Sequence, residues 1–422
     1  MTILWTTNVP ICAMAEELGL ATGGFGGWME QAYNHLRGDS SVKLVIVTSW
    51  NNPNVHKKID GNIVYYMIPG GDAYAKFDAD KASNLKAIKE IIEAEHPDLM
   101  HLWGTESQLG LAFSRVGKGI PTVVYIQGVM KSIVEHYFES TPKSGLQRAV
   151  TFYDIVKGRG INRTMRKLFK KAKTEQEILR RSGNIICDNN WCEAVCKAIN
   201  PQLHIYKQNL PIDDVFKEDV ESNKKKRQIF CASQYAPFKG FQVLLSAIKI
   251  VKEKFPDVVV NIPGGWRKTP KTLSEKLRYD TYSNAMNKLI SEWGLTDNIC
   301  NLGGLSRKEM AKQMHESTVF VQCSTVENHS STMREALYTG IPCIVSNVGC
   351  AAEYIQHGVN GFLYRNNEPE VLAHYIIYLL ENEEEAKRIG TVGKASIEHK
   401  YQSNENWPTL SIYEDILKSE SC

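Results

Sequence analysis

The sequence predicts an α/β protein built from two doubly wound domains, each a parallel sheet covered by helices on both faces. Three observations carry this reading. Short β-rich apolar runs alternate with helical patterns from end to end, the rhythm of parallel strands joined by right-handed crossovers. Many of those runs are continuously apolar, as expected where both faces of a strand are covered. The 422 residues favour two domains over one. In the first half the strands are expected at residues 3–6, 43–48, 63–68, 99–102, 122–126, 184–187 and 205–207. In the second half they are expected at 228–232, 258–262, 299–302, 319–323, 343–346 and 362–364. The rhythm breaks at residues 209–216, and 217–227 is charged and aperiodic, as in a linker. The expected domains are therefore 1–210 and 211–404. Ligands of open α/β sheets sit beyond the carboxyl ends of the strands, so the site is expected in a cleft between two facing domains.

Composition excludes more than it identifies. Hydrophobic residues make up 43% and charged residues 23%, ordinary values for a globular chain. A net charge of +3 selects no partner. No apolar run approaches the roughly 18 residues of a membrane span. Met1 to Thr6 carries no basic residue before its apolar ones, so it reads as a first strand and not as a signal peptide, and the expected location is the cytoplasm. The ten cysteines are scattered without a CxxC pair, which points to buried reduced thiols and no zinc site. No GxxxxGK[ST] occurs, which counts against an NTPase. Asp78-Ala-Asp80 precedes a helical pattern at 81–94 and reads as N-capping and not as a metal ligand pair.

Residues 157–173 stand apart. Lys157, Arg159, Arg163, Arg166, Lys167, Lys170, Lys171 and Lys173 occur with no acid among them, and Ile161, Met165, Leu168 and Phe169 recur at helical spacing. This is a basic amphipathic helix. Two readings stand: a solvated face packed on its own domain, or docking on an anionic membrane surface. No nucleic-acid recognition motif accompanies the charge, and no nucleic-acid partner is expected.

The most informative segment runs strand, loop, helix. The strand at 319–323 is followed by a loop carrying Glu327, then by a helix from Thr332 that holds Glu335 and stops at Gly340-Ile-Pro342. Between the two glutamates lie the backbone N–H groups of a helix N-terminus, a ready anion site. An anion cradle flanked by two carboxylates suits a ligand with phosphate at its centre and hydroxyls at both ends. A nucleotide-sugar is such a ligand.

The run from Glu327 to Pro342, continuing through Gly349, Glu353 and Gly358-Val-Asn-Gly361, resembles the Glu-x7-Glu signature of retaining glycosyltransferases of the GT-B fold, family 4. Pro237-Phe-Lys239-Gly240, Asn261-Ile-Pro-Gly264-Gly265 and Asn301-Leu-Gly-Gly304 fit the same family in order. The match covers most of 225–365, and the first half fits more loosely. The resemblance implies two Rossmann-like domains, with a C-terminal tail at 405–422 packing back on the first. It implies a nucleotide-sugar donor, a glycan or lipid-linked acceptor, and neither cofactor nor metal.

Residue by residue, Glu327 resembles the glutamate that holds donor-sugar hydroxyls near the anomeric centre, and Glu335 the one on the ribose hydroxyls. Lys239 matches the lysine on the donor diphosphate, where a cation stabilises the leaving group. The family arginine about six residues earlier is replaced by Ser233, and a hydroxyl cannot stand in for a bidentate guanidinium. The family's Gly-Phe-Gly after the first glutamate is replaced by Asn328-His329-Ser330. The small Ser330 and Ser331, before Thr332, still let backbone amides approach phosphate. The glycine-rich loop with Gly26 and Gly27 is expected near the donor phosphates or the acceptor, since no Cβ keeps the backbone away. Gln127 occupies the place of a family histidine and can donate to or accept from a sugar hydroxyl. His101 ends a strand and reads as structural. Besides sugar transfer, the resemblance leaves open an epimerase-like enzyme of the same fold and a non-catalytic nucleotide-sugar binding subunit.

Overall fold

The computed structural model describes residues 1–17, 27–51, 53–71, 77–141, 146, 150–156, 160–209, 212–218, 225–232, 236–264, 270–276, 279–402 and 409–420. The chain divides into two compact units. One comprises Met1–Lys131, Leu168–Leu210 and Asn404–Cys422; the other comprises Ser132–Lys167 and Pro211–Ser403.

The first unit is built on eight strands: β1 (Thr2–Thr7), β2 (Lys43–Trp50), β3 (His56–Asp60), β4 (Ile63–Pro69), β5 (Leu99–Trp103), β6 (Thr122–Tyr125), β7 (Asn184–Cys187) and β8 (His204–Lys207). Their order is β3-β4-β2-β1-β5-β6-β7-β8. All pairs are parallel except β3 with β4. The seven strands expected from apolar runs are all present. The eighth, β3, has the polar sequence His-Lys-Lys-Ile-Asp and is largely exposed. An edge strand needs no buried face and so leaves no apolar signal. Alternate residues of β1 feed opposite cores, Leu4 into one and Ile3 and Trp5 into the other, because successive side chains of a strand point to opposite faces.

The helix Thr409–Ser419 completes the second of these cores with Ile412, Tyr413 and Ile416. The Trp5 indole N–H donates to the Tyr413 hydroxyl (2.9 Å), and that hydroxyl lies 2.5 Å from His101 Nδ1. His101 is fully buried and stacks on Trp103 at 4.3 Å, a structural histidine. Burial lowers its pKa from 6.5 to about 3, so the fold holds it neutral. The sign follows: its stabilising contribution is complete above pH 6.5 and is lost as pH falls toward 3. Unfolding measured against pH should show an acid slope of up to ~1.4 kcal/mol per pH unit that is reduced in His101→Gln. Equal slopes in the two proteins would contradict this.

The second unit contains β9 (Gln228–Cys231), β10 (Val259–Pro263), β11 (Ile299–Gly303), β12 (Val319–Gln322), β13 (Cys343–Ser346) and β14 (Phe362–Tyr364). They are parallel throughout, in the order β11-β10-β9-β12-β13-β14. Counted within the unit, this is the doubly wound order 3-2-1-4-5-6. Ile229 and Cys231 enter one core and Phe230 the other.

One expectation about the units is corrected. Residues 132–167, assigned above to the first domain, cluster with the second unit. Leu146 joins the second unit's core, Thr325 Oγ1 donates to the His136 carbonyl (2.8 Å), and the amide of Thr281 donates to Asp154 (2.6 Å). These contacts join residues more than 120 positions apart, which sequence periodicity does not register. No helix among the described residues is long and apolar enough to cross a membrane.

Candidate functional site

The chain order of the six-stranded sheet reverses between β9 and β12, which lie side by side. A crevice opens at such a reversal, because the connections leave to opposite faces. Both strands end there in segments carrying the predicted residues. After β9 the 3-10 turn Pro237–Lys239 ends at Gly240, whose φ is +70°. A Cβ at Gly240 would sit 1.7 Å from the Cys323 carbonyl oxygen. Glycine alone lets this turn press against the end of β12, and the Thr325 amide donating to Phe238 O (2.7 Å) fastens the contact.

After β12 the loop carries Glu327 and then the helix Ser331–Tyr338. Gly349, with φ +54°, lies against this loop so closely that a Cβ would be 1.6 Å from Glu327 O. The Cys350 amide also donates to that oxygen (3.3 Å), and the Ser346 hydroxyl donates to Ser324 O (2.6 Å). The result is an ion pair: Lys239 Nζ lies 2.5 Å from Glu327 Oε1, and the Ser324 hydroxyl donates to the same oxygen (2.6 Å). Lys239 and Glu327 line a cavity of about 140 Å³ together with Ala232, Gln322, Ser324, His329, Ser330, Ser331 and Thr332. The N-terminal turn of the helix therefore opens on the same space as the lysine, and amide dipoles and ammonium act there with one sign.

Glu335 sits deeper. Its side chain is buried and accepts from Arg307 Nη1 (2.9 Å). Arg307 opens the helix Arg307–Glu316, lies 3.3 Å from Asp213 Oδ2 and covers the Phe216 ring at 4.9 Å. Burial pushes the Glu335 carboxyl above its ordinary pKa and Arg307 opposes the shift. Hydroxyl donors from a ligand would favour its charged form.

Sequence reasoning missed two arginines. Arg307 had an available signal: Ser306 and Glu309 form a capping box, which places Arg307 at a helix start just beyond β11. Arg334 lay inside the quoted motif without a role. It is 1% exposed, and its guanidinium donates to His329 Nε2, to the Tyr401 hydroxyl and to Ser331 Oγ (3.4 Å). A guanidinium only donates, so His329 accepts through Nε2 and carries its proton on Nδ1.

The other predicted positions separate. Gly264 (φ +63°) and Gly303 (φ +74°) end β10 and β11 and meet backbone to backbone, Gly264 N to Gly303 O at 2.5 Å. A Cβ on Gly304 would meet nothing within 4 Å. Gly303 needs glycine for its left-handed backbone, while the space around Gly304 is open. Gln127 lies two residues past β6 in the first unit, half-buried, beside Gly104 at the end of β5. Gly27 opens the helix Gly27–Arg37. Gly26 and Ser233 lie outside the described residues. Asp78-Ala-Asp80 does not cap the helix that follows: Ala82–Glu95 is capped at Lys81 without a side-chain bond, and Asp80 pairs with Arg115 at 2.7 Å. Among the described residues no three His, Cys, Asp or Glu side chains gather into a metal-holding group.

Comparisons with known proteins agree with this architecture. The family described as "Glycosyl transferases group 1" matches residues 213–396. The chain is 24% identical over 200 residues to the GDP-mannose-dependent alpha-(1-6)-phosphatidylinositol monomannoside mannosyltransferase of Mycobacterium tuberculosis, covering 46% of this chain and 47% of that protein. The chain thus spans about half the length of such curated relatives. Among solved structures, sucrose-phosphate synthase of Thermosynechococcus elongatus superposes with a TM-score of 0.66 at 15% identity, covering 100% of this chain and 98% of that one. HepE of Anabaena, in complex with UDP and glucose, superposes with a TM-score of 0.60 at 15% identity, covering 100% and 99%. Residues 213–396 are thus similar to the group 1 glycosyltransferases, and the chain carries the GT-B fold, two parallel-sheet α/β domains.

Proposed function

We propose that this protein is a retaining glycosyltransferase that moves a sugar from a nucleotide-diphosphate donor to an acceptor hydroxyl. The observation that carries the reading is the Lys239–Glu327 pair held over a helix N-terminus at the reversal point of the six-stranded sheet. In this reading the diphosphate rests on the amides of Ser330 and Thr332, beside the Ser331 side chain. Lys239 neutralises the charge that grows on it as the glycosidic bond breaks. Glu327 holds sugar hydroxyls near the anomeric carbon, and Glu335 with Arg307 holds the ribose. The acceptor attacks from the face the diphosphate leaves, and the departing phosphate oxygen takes the acceptor proton. The chemistry needs no metal. Relatives that use GDP-mannose or hold UDP with glucose by name make hexose donors of these bases the first to try. A glycan or lipid-linked acceptor, as in bacterial surface polysaccharide or glycolipid assembly, and a cytoplasmic location that includes the inner face of a membrane complete the reading.

The test is a thermal-shift screen of UDP-, GDP-, ADP-, CMP- and dTDP-sugars, followed by product analysis with acceptor. A cognate donor at 100 times its dissociation constant stabilises by about 2.7 kcal/mol, raising Tm by about 3 °C for a chain of this length. The product should keep the donor's anomeric configuration. An inverted product or no shift with any donor would refute the proposal. Free sugar released without acceptor would instead point to an epimerase-like hydrolysis, and tight donor binding without turnover to a binding subunit.

A further inference from the structure

The basic helix is preceded by a short helix that periodicity did not mark. Phe152–Val156 is helical, and the basic helix spans Ile161–Arg181. The short helix is anchored through its one acid. Asp154 is buried and accepts from the amide of Thr281 (2.6 Å) and from its hydroxyl (2.5 Å), and the neighbouring Thr151 hydroxyl donates to Tyr279 O (2.6 Å). Asp154, Ile161 and Thr164 line one cavity of about 180 Å³ within the second unit, which defines the inward side of both helices. Helical residues advance by ~100° each. Phe152 and Val156 therefore stand opposite Asp154, and Arg163, Arg166 and Lys167 stand opposite Ile161.

The outward side is unusual in content. Phe152 is 64% exposed, Ile155 68% and Val156 63%. Val150 is also exposed. Arg163, Arg166 and Lys167 are exposed as well. No acid occurs between Lys157 and Lys173, and the one acid of the short helix is turned inward. Apolar side chains held out beside cations match the two layers of an anionic bilayer surface: acyl chains for the first, headgroup phosphates for the second.

We propose that residues 150–156 and 160–167 of the second unit form a membrane-docking surface in which Phe152, Ile155 and Val156 insert into an anionic bilayer and Arg163, Arg166 and Lys167 hold its headgroups. This inference stands apart from the transfer chemistry, since binding is read without substrate. The test is co-sedimentation of the full chain with phosphatidylcholine vesicles, with and without phosphatidylglycerol. Binding is expected only with phosphatidylglycerol and should weaken as salt rises. Phe152→Ser with Val156→Ser should lower the vesicle affinity at least about tenfold, and Arg163→Glu with Lys167→Glu should abolish sedimentation, both with unchanged melting temperatures. Phe152→Trp should shift its emission to the blue on anionic vesicles. Three results would overturn the proposal: no wild-type binding at low salt, binding that neither double variant weakens, or self-association in sedimentation velocity that Phe152→Ser abolishes. The last would assign the face to a second copy of the chain.

Discussion

Replacing Glu327 by alanine is expected to reduce turnover by several orders of magnitude while the fold persists. Two losses combine. Each charged hydrogen bond from Glu327 to a sugar hydroxyl contributes about 1.5–3 kcal/mol, or one to two orders of magnitude if it strengthens in the transition state. The substitution also removes the carboxylate that holds Lys239 at 2.5 Å over the cavity, and misplacing one electrostatic donor costs a further ~10²–10³-fold. Stability should change little, because the loop backbone is fixed elsewhere: by the Cys350 amide on Glu327 O, the Thr325 amide on Phe238 O and the Ser346 hydroxyl on Ser324 O. The measurement is kcat with the cognate donor beside a melting curve. Wild-type turnover in the variant would remove Glu327 from the site.

Gly349→Ala should damage stability and activity together. The added Cβ would lie 1.6 Å from Glu327 O and 2.7 Å from its carbonyl carbon, and a backbone carbonyl cannot swing aside as a side-chain end can. A left-handed alanine costs about 1–2 kcal/mol, and forced overpacking commonly adds 1–3 kcal/mol. The expected loss is therefore about 2–5 kcal/mol, read as a lower urea midpoint at constant m-value. Relief of the clash must move either residues 347–350 or the loop of Glu327, and the second movement breaks the Lys239 pair. Gly304→Ala, where a Cβ meets nothing within 4 Å, is the control for stability and should leave the urea midpoint nearly unchanged. Equal midpoints for the two variants would show that the Gly349 contact is not rigid.

Most strands of both sheets were legible in the sequence because they are buried on two faces and so read as apolar runs, while β8 and β11, half-exposed, were marked by shorter ones. Residues 319–323 and 343–346 show it, against β12 at Val319–Gln322 and β13 at Cys343–Ser346. β3 was not legible, because an exposed edge strand is free to be polar. The Asp78-Ala-Asp80 reading failed for a related reason: the chain turns one residue later than composition suggests, and Asp80 finds Arg115, 35 positions away. The short helix Phe152–Val156 escaped notice because five residues are too few to display a period.

The candidate site divides along the same line. The order of motifs was enough to nominate Lys239, Glu327 and Glu335, because a loop glutamate before a helix start and a lysine before a left-handed glycine are local patterns. Local pattern says nothing about direction or distance. Folding brought Lys239 and Glu327 together across 88 positions, buried Glu335 against Arg307, placed Arg334 beneath the helix start, and carried residues 132–167 over to the second unit. Secondary structure follows from interactions within a few residues and is written in the chain. Which side chains meet follows from strand order and close backbone approach, at Gly240 and Gly349 above all, and those contacts exist only once the sheet has assembled.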